Sequence, residues 1–124
     1  MSETPQVVPP SQEPQVLVLV ADMFFASKIS AVARATGAVI KMIRNPQLLP
    51  GLSAKRLIVD LNLPGAIPAA IEWRKAIGGQ VIGFVSHTDE QTIADARAGG
   101  VDQVMARSRF VQVLPELLKI PPTV

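Results

Sequence analysis

The chain contains no cysteine and no tyrosine, and only one tryptophan, one histidine and four phenylalanines among its 124 residues. Without cysteine there is no disulfide scaffold, no thiol nucleophile and no thiolate metal site, although the redox compartment stays open. So few aromatics, with basic residues scattered from Lys28 to Lys119 rather than clustered, leave no platform on which nucleic-acid bases could stack. The formal charge of +2 and pI near 9.4 are too mild to argue for a nucleic-acid partner. Long hydrophobic runs are missing too. The apolar stretch from Val16 is stopped by Asp22, far short of the roughly twenty residues that cross a bilayer, so no membrane partner is expected. The first residues, MSETPQVVPPSQEP, carry neither the basic-then-apolar order of a secretory signal nor an Arg-rich transit pattern, which makes a cytoplasmic location the expectation.

What the chain does have is a change of texture near residue 15. Four of its eleven prolines stand at positions 5, 9, 10 and 14 beside Ser, Gln and Glu, so residues 1–14 read as a disordered, Pro-rich tail. Residues 15–120 read as one domain, with residues 121–124 as a short C-terminal tail. Within the domain, short apolar runs alternate with longer segments of helical period, the pattern of parallel strands joined by crossover helices. Strands are predicted at 15–21, 38–43, 56–61, 80–85 and 103–106. The first is almost purely Val and Leu, as suits a central strand covered on both faces.

Helices are predicted after Asp22, ending at Gly37; from about Pro68 to Gly78; from a Thr88/Gln91 capping box to Gly99; and from a Ser108 cap through Lys119, with Pro115 kinking or restarting the last one. Between the second and third strands, Asn45, Pro46, Pro50 and Gly51 leave room for little more than one helical turn. Right-handed crossovers then give a doubly wound α/β sheet of flavodoxin-like type, five parallel strands in the order 2-1-3-4-5, with the second crossover helix short or missing.

In such a sheet the crevice lies beyond the carboxyl ends of the strands, where strand order reverses. That rule gathers Asp22, Asp60, Ser86, His87, Arg107 and Ser108 at one rim. Two carboxylates aimed at one spot repel unless a cation intervenes. Magnesium on Asp22 and Asp60 would serve, as would Arg107 paired with Asp60. Asp22 also stands where a helix N-cap belongs. Ser86 beside His87 has no nucleophile elbow around it, and the glycine pairs are helix stops, not a phosphate-cradling loop.

The segment IVDLNLPG, residues 58–65, resembles the CheY-like receiver pattern, in which an aspartate closing the third strand accepts phosphate ahead of a Pro-Gly turn; Asp60 matches that acceptor. Residues 81–110, VIGFVSHTDEQTIADARAGGVDQVMARSRF, resemble the later part of the same family, and the likeness extends over residues 15–119. It implies the fold, magnesium as cofactor, signalling proteins as partners, and a contact or homodimer surface formed by the helix that opens near Gln91, the strand at 103–106 and the last helix. Three departures mark a pseudo-receiver. Ala21 stands where the family has the first of two adjacent acids, Val85 where it has a Thr or Ser, and Arg107-Ser108 where it has Lys-Pro.

Losing a metal ligand and a hydroxyl weakens both the positioning and the charge neutralisation on which phosphoryl transfer depends. The expectation is therefore a stand-alone signalling module working through protein contacts, more a binding protein than an enzyme. Met23, Phe24, Arg109 and Phe110 are its expected partner surface. The competing expectation is a small-molecule binding domain or minor enzyme using Asp22, Asp60, His87 and Arg107.

Overall fold

The computed structural model of the chain describes residues 14–86 and 89–120. Five strands form one parallel sheet: β1 (Val16–Leu19), β2 (Ile40–Ile43), β3 (Arg56–Asp60), β4 (Gln80–Val85) and β5 (Gln103–Ala106), in the order β2-β1-β3-β4-β5. Three helices connect strands, α1 (Met23–Thr36), α2 (Ala66–Ile77) and α3 (Glu90–Ala98), and a fourth, α4 (Arg107–Leu117), follows β5. The β2–β3 connection holds only a 3-10 turn at Pro46–Leu48, as its proline and glycine content predicts. The first three strands are shorter than expected because their flanks make single bonds outside the ladder, such as Gln15 N–H to the Val39 carbonyl and Leu61 N–H to that of Phe84.

The alternation of side chains along a strand explains why β1 is apolar throughout. Leu17 and Leu19 join Leu57, Val59, Ala70 and Trp73 in one core layer, under α2 and α3. Val16, Val18 and Val20 join Ile58, Phe84, Ile29 and Phe110 in the other, under α1 and α4. A central strand with both faces covered has no polar side to show. In the second layer Phe84 and Phe110 stack with ring centroids 4.5 Å apart, and Phe25 meets Phe84 edge-on at 5.2 Å.

Local signals set the helix ends. Asp22 caps α1, its Oδ1 accepting the N–H groups of Phe24 at 2.9 Å and Phe25 at 3.3 Å. Gly37, with φ of 75°, ends the helix in the left-handed conformation that only glycine adopts without penalty. The expected capping box at Thr88 and Gln91 gives way to Asp89, which accepts the Gln91 N–H at 3.0 Å and the Thr92 hydroxyl at 2.9 Å; Thr88 lies outside the described residues. Ser108 does not cap the last helix either. The helix starts two residues earlier, at Arg107, with Ala106 in the capping position and no side-chain cap. Pro115, expected to kink or restart the last helix, lies inside α4 without interrupting it. A proline eight residues into a helix removes one backbone bond, but burial of Leu114 and Leu117 on either side of it holds the helix to Leu117, two residues short of the expected Lys119.

Two polar clamps close the fold at the amino-terminal ends of the strands. Arg56 donates to Gln80 Oε1 at 2.7 Å and to the carbonyls of Leu117 and Lys119 at 2.6 and 3.1 Å, fastening the end of α4 to β3 and β4. Asp102 takes both Arg74 donors, at 3.0 and 2.9 Å, and the Val81 N–H at 2.8 Å.

These bonds make the fold acid-sensitive in a definite direction. The Arg74 guanidinium holds the Asp102 carboxyl below its ordinary 3.8, the Phe25 N–H does the same at Asp22, and the Thr92 hydroxyl at Asp89. Folded carboxylates of depressed pKa bind fewer protons than unfolded ones, so their contribution is complete above the ordinary value and is lost as pH falls through the folded values. Thermal denaturation should give a falling midpoint below about pH 4, with a shallower decline in Asp102→Asn, which loses its part of the acid response. An equal slope in the two proteins would remove Asp102 from the account.

Candidate functional site at the carboxyl rim

β3 ends at Asp60, which stands opposite Phe84, itself opposite Met105 of β5. By strand alternation Asp60 continues the face of Ile58, the face covered by α1 and α4. One or two residues beyond that row, the chain turns out of the sheet at Asp22, Ser86 and Arg107. The expected gathering at one rim therefore occurs for these four residues, and His87 lies outside the described residues.

Arg107 is the hub. As the first residue of α4 it reaches back over the rim, donating to Asp22 Oδ2 at 3.4 Å and to the Ser86 hydroxyl at 3.4 Å. Its guanidinium lies over the Phe25 ring, 3.9 Å from the centroid, within cation–π range. One side chain thus ties the start of α4 to the ends of β1 and β4 and to α1. The sequence placed the ion pair of Arg107 on Asp60; the structure gives it to Asp22, whose other oxygen is already the cap of α1. Asp60 Oδ1 instead accepts the Asn62 N–H at 3.0 Å, closing the turn after β3.

Sequence reasoning missed three residues. Asn62 links the two central loops, its Oδ1 accepting the Ser86 N–H at 2.7 Å. Arg44, just past β2, donates to the Ala21 carbonyl at 3.4 Å. Phe25 was legible as a buried helix position but not as the platform for a guanidinium. The strand order held the signal for Arg44, since β2 flanks β1 and a residue just after it must face the loop after β1.

The departures from the receiver pattern have structural counterparts. Val85 is buried in the α2/α3 core layer, so no hydroxyl stands at that position, and Ser86, on the next pleat, is exposed with its hydroxyl turned to Arg107. Ser108 and Arg109 are exposed at the start of α4. Phe110 is the correction: expected on the partner surface, it is fully buried against Phe84, because the residue three positions into α4 faces the sheet. Met23 and Phe24 are exposed as expected, Phe24 to 90%.

A divalent ion of the magnesium type takes about six oxygens in octahedral geometry. The rim does not fit one well. Both oxygens of Asp22 are engaged, Ala21 supplies a carbonyl that already accepts from Arg44, and no cluster of three or more acidic, histidine or cysteine side chains forms among the described residues.

The open parallel sheet, with its strand reversal beside β1, is a doubly wound fold of flavodoxin-like type. No family model and no curated protein matches the sequence. Among solved structures, the chain is similar to a response regulator from Burkholderia pseudomallei determined with a phosphorylated aspartic acid, a calcium ion and citrate, at 16% identity and a TM-score of 0.71 over 86% of this chain and 67% of that one. It is similar also to the BeF3-activated DrrB receiver domain, at 14% identity and 0.71 over 84% of this chain and 92% of that one. The manganese-bound form of the response regulator Rcp1 aligns at 12% identity and 0.68 over 90% of this chain and all (100%) of that one. The chain thus has the CheY-like receiver fold. Among the described residues no helix is long and apolar enough to cross a membrane.

Proposed function

We propose that the chain is a receiver-like signalling module that acts through protein contacts in the cytoplasm and no longer switches by magnesium-dependent phosphorylation of Asp60. The observation that carries this reading is the commitment of Asp22, which caps α1 with one oxygen and holds Arg107 with the other. A receiver acceptor needs a metal beside it and a hydroxyl to hold the phosphoryl oxygens. Here the neighbouring carboxylate is engaged and Val85 is buried where the hydroxyl would stand.

Contact function is supported by apolar surface beside the rim. Met23 and Phe24 are 58% and 90% exposed on the first turn of α1, where burial elsewhere in the fold has no use for them. They make an apolar surface suited to a partner with complementary apolar groups, and Arg109, exposed on the first turn of α4, is a further candidate contact for an acidic one. The face formed by α3, β5 and α4, with β5 at the sheet edge, is the second surface, where a homodimer would form.

Phosphodonor treatment separates this reading from an active receiver. Incubated with acetyl phosphate and magnesium, the chain should keep its intact mass, and Asp60→Asn should leave partner binding unchanged. A phosphoryl adduct mapping to Asp60 and absent from Asp60→Asn would overturn the proposal.

A further inference from the structure

Resting on the reading of the rim as a non-phosphorylating site, we propose that Arg107 and Arg44 are its resident cations, standing in for the divalent ion and leaving the domain indifferent to magnesium. The rim carries two carboxylates, Asp22 and Asp60, and the described residues bring two guanidinium groups to it. Arg107 binds the Asp22 carboxylate itself. Arg44 binds the carbonyl of Ala21, at the position where the acid is missing. One carboxylate fewer, Arg44 as a positive charge beyond the receiver pattern, and Arg107 bound to Asp22 where that pattern has a lysine act in the same direction, because each lowers the attraction of the site for a doubly charged ion.

Geometry makes Arg107 a fixture rather than a passing surface contact. An exposed ion pair at 3.4 Å is weak alone, since it is screened and costs side-chain entropy. This guanidinium is held in addition by the Ser86 hydroxyl and by the Phe25 ring, which belongs to the buried aromatic cluster with Phe84 and Phe110. A flat, delocalised cation can lie on a ring and bond a carboxylate at its edge together; a lysine ammonium cannot. The same three contacts fasten α1, the end of β4 and the start of α4 to one another. The charge that a metal would bring, and the ties it would make between loops, are then both supplied by the chain.

Manganese(II) titration with amide NMR tests this on the full chain. Selective paramagnetic broadening of the Asp22, Asp60 and Ser86 amides reports metal at the rim, with Val16 and Gln80, at the opposite strand ends, as internal controls. In the wild type the rim amides should fade no faster than the controls. In Arg44→Gln/Arg107→Gln they should fade selectively, at manganese concentrations at least about tenfold lower. Arg107→Lys, which keeps the charge but not the flat face that lies on Phe25 while bonding Asp22, should fall between the wild type and the double variant.

Selective broadening of the wild-type rim at the concentrations that affect the double variant overturns the proposal. A folded double variant whose rim amides still follow the controls overturns it as well. If the double variant does not fold, Arg44→Gln, altered only at an exposed side chain, carries the same comparison with a smaller shift. Failure here leaves the protein-contact reading standing, because that reading falls to a phosphoryl adduct on Asp60 and not to manganese.

Discussion

Truncating Phe110 to alanine should lower the free energy of unfolding by about 3–5 kcal/mol, whereas the same truncation at Phe24 should change it by less than about 0.5 kcal/mol. Phe110 is fully buried; its ring stacks on Phe84 and lies 5.6 Å from Phe25, so its removal opens a cavity beside the two remaining rings. The loss would also undercut Arg107, since Phe25 carries that guanidinium on its face. Phe24 is next to Phe25 in sequence but exposed, and nothing collapses when it is shortened. Urea denaturation of the two variants checks the contrast. Similar midpoints for both would mean that α4 does not seat on the sheet as described.

Gly79→Ala should be strongly damaging for a single added methyl, costing about 2–3 kcal/mol. A β-carbon at Gly79 would stand 2.2 Å from the Trp73 Cη2 atom, 2.8 Å from its Cζ3 and 3.0 Å from the Ala54 carbonyl oxygen. The indole has little room to yield, because Trp73 is buried and its Nε1–H donates to the Leu52 carbonyl at 2.8 Å. Gly78, one residue earlier, ends α2 with φ of 83° and has no such neighbour. Alanine there meets backbone strain alone. The emission of the single tryptophan gives a direct readout: Gly79→Ala should move it and Gly78→Ala should not. An unaltered spectrum and midpoint for Gly79→Ala would refute the close approach.

Most of the architecture could be read from the chain. The all-apolar β1 announced a strand covered on both faces, the proline and glycine between residues 45 and 51 announced a missing helix, and the strand order followed from handed crossovers. These are local or topological signals, and the physics behind them acts over a few residues. The site was legible as a set of residues: the rule for carboxyl ends by itself brings Asp22, Asp60, Ser86 and Arg107 to one rim.

Their partnerships were another matter. The pairing expected from sequence was Arg107 with Asp60, and the one formed is Arg107 with Asp22. Only the position of the ring of Phe25 beneath the guanidinium, and the path of α4 from its first turn, decided between the two. Phe110 fell on the wrong side for the same reason. Its direction depends on where α4 begins, and a start at Arg107 rather than after Ser108 rotates every later side chain about the helix axis.

By itself, then, the sequence determined the sheet, the order of its strands and which residues end at its rim, because periodicity and turn chemistry are written in neighbouring residues. Tertiary structure decided which carboxylate holds the arginine, which phenylalanine is surface and which is core, and that Arg44 reaches the loop after β1. Those outcomes turn on distances of a few ångströms between segments far apart in the chain, where no local pattern reaches.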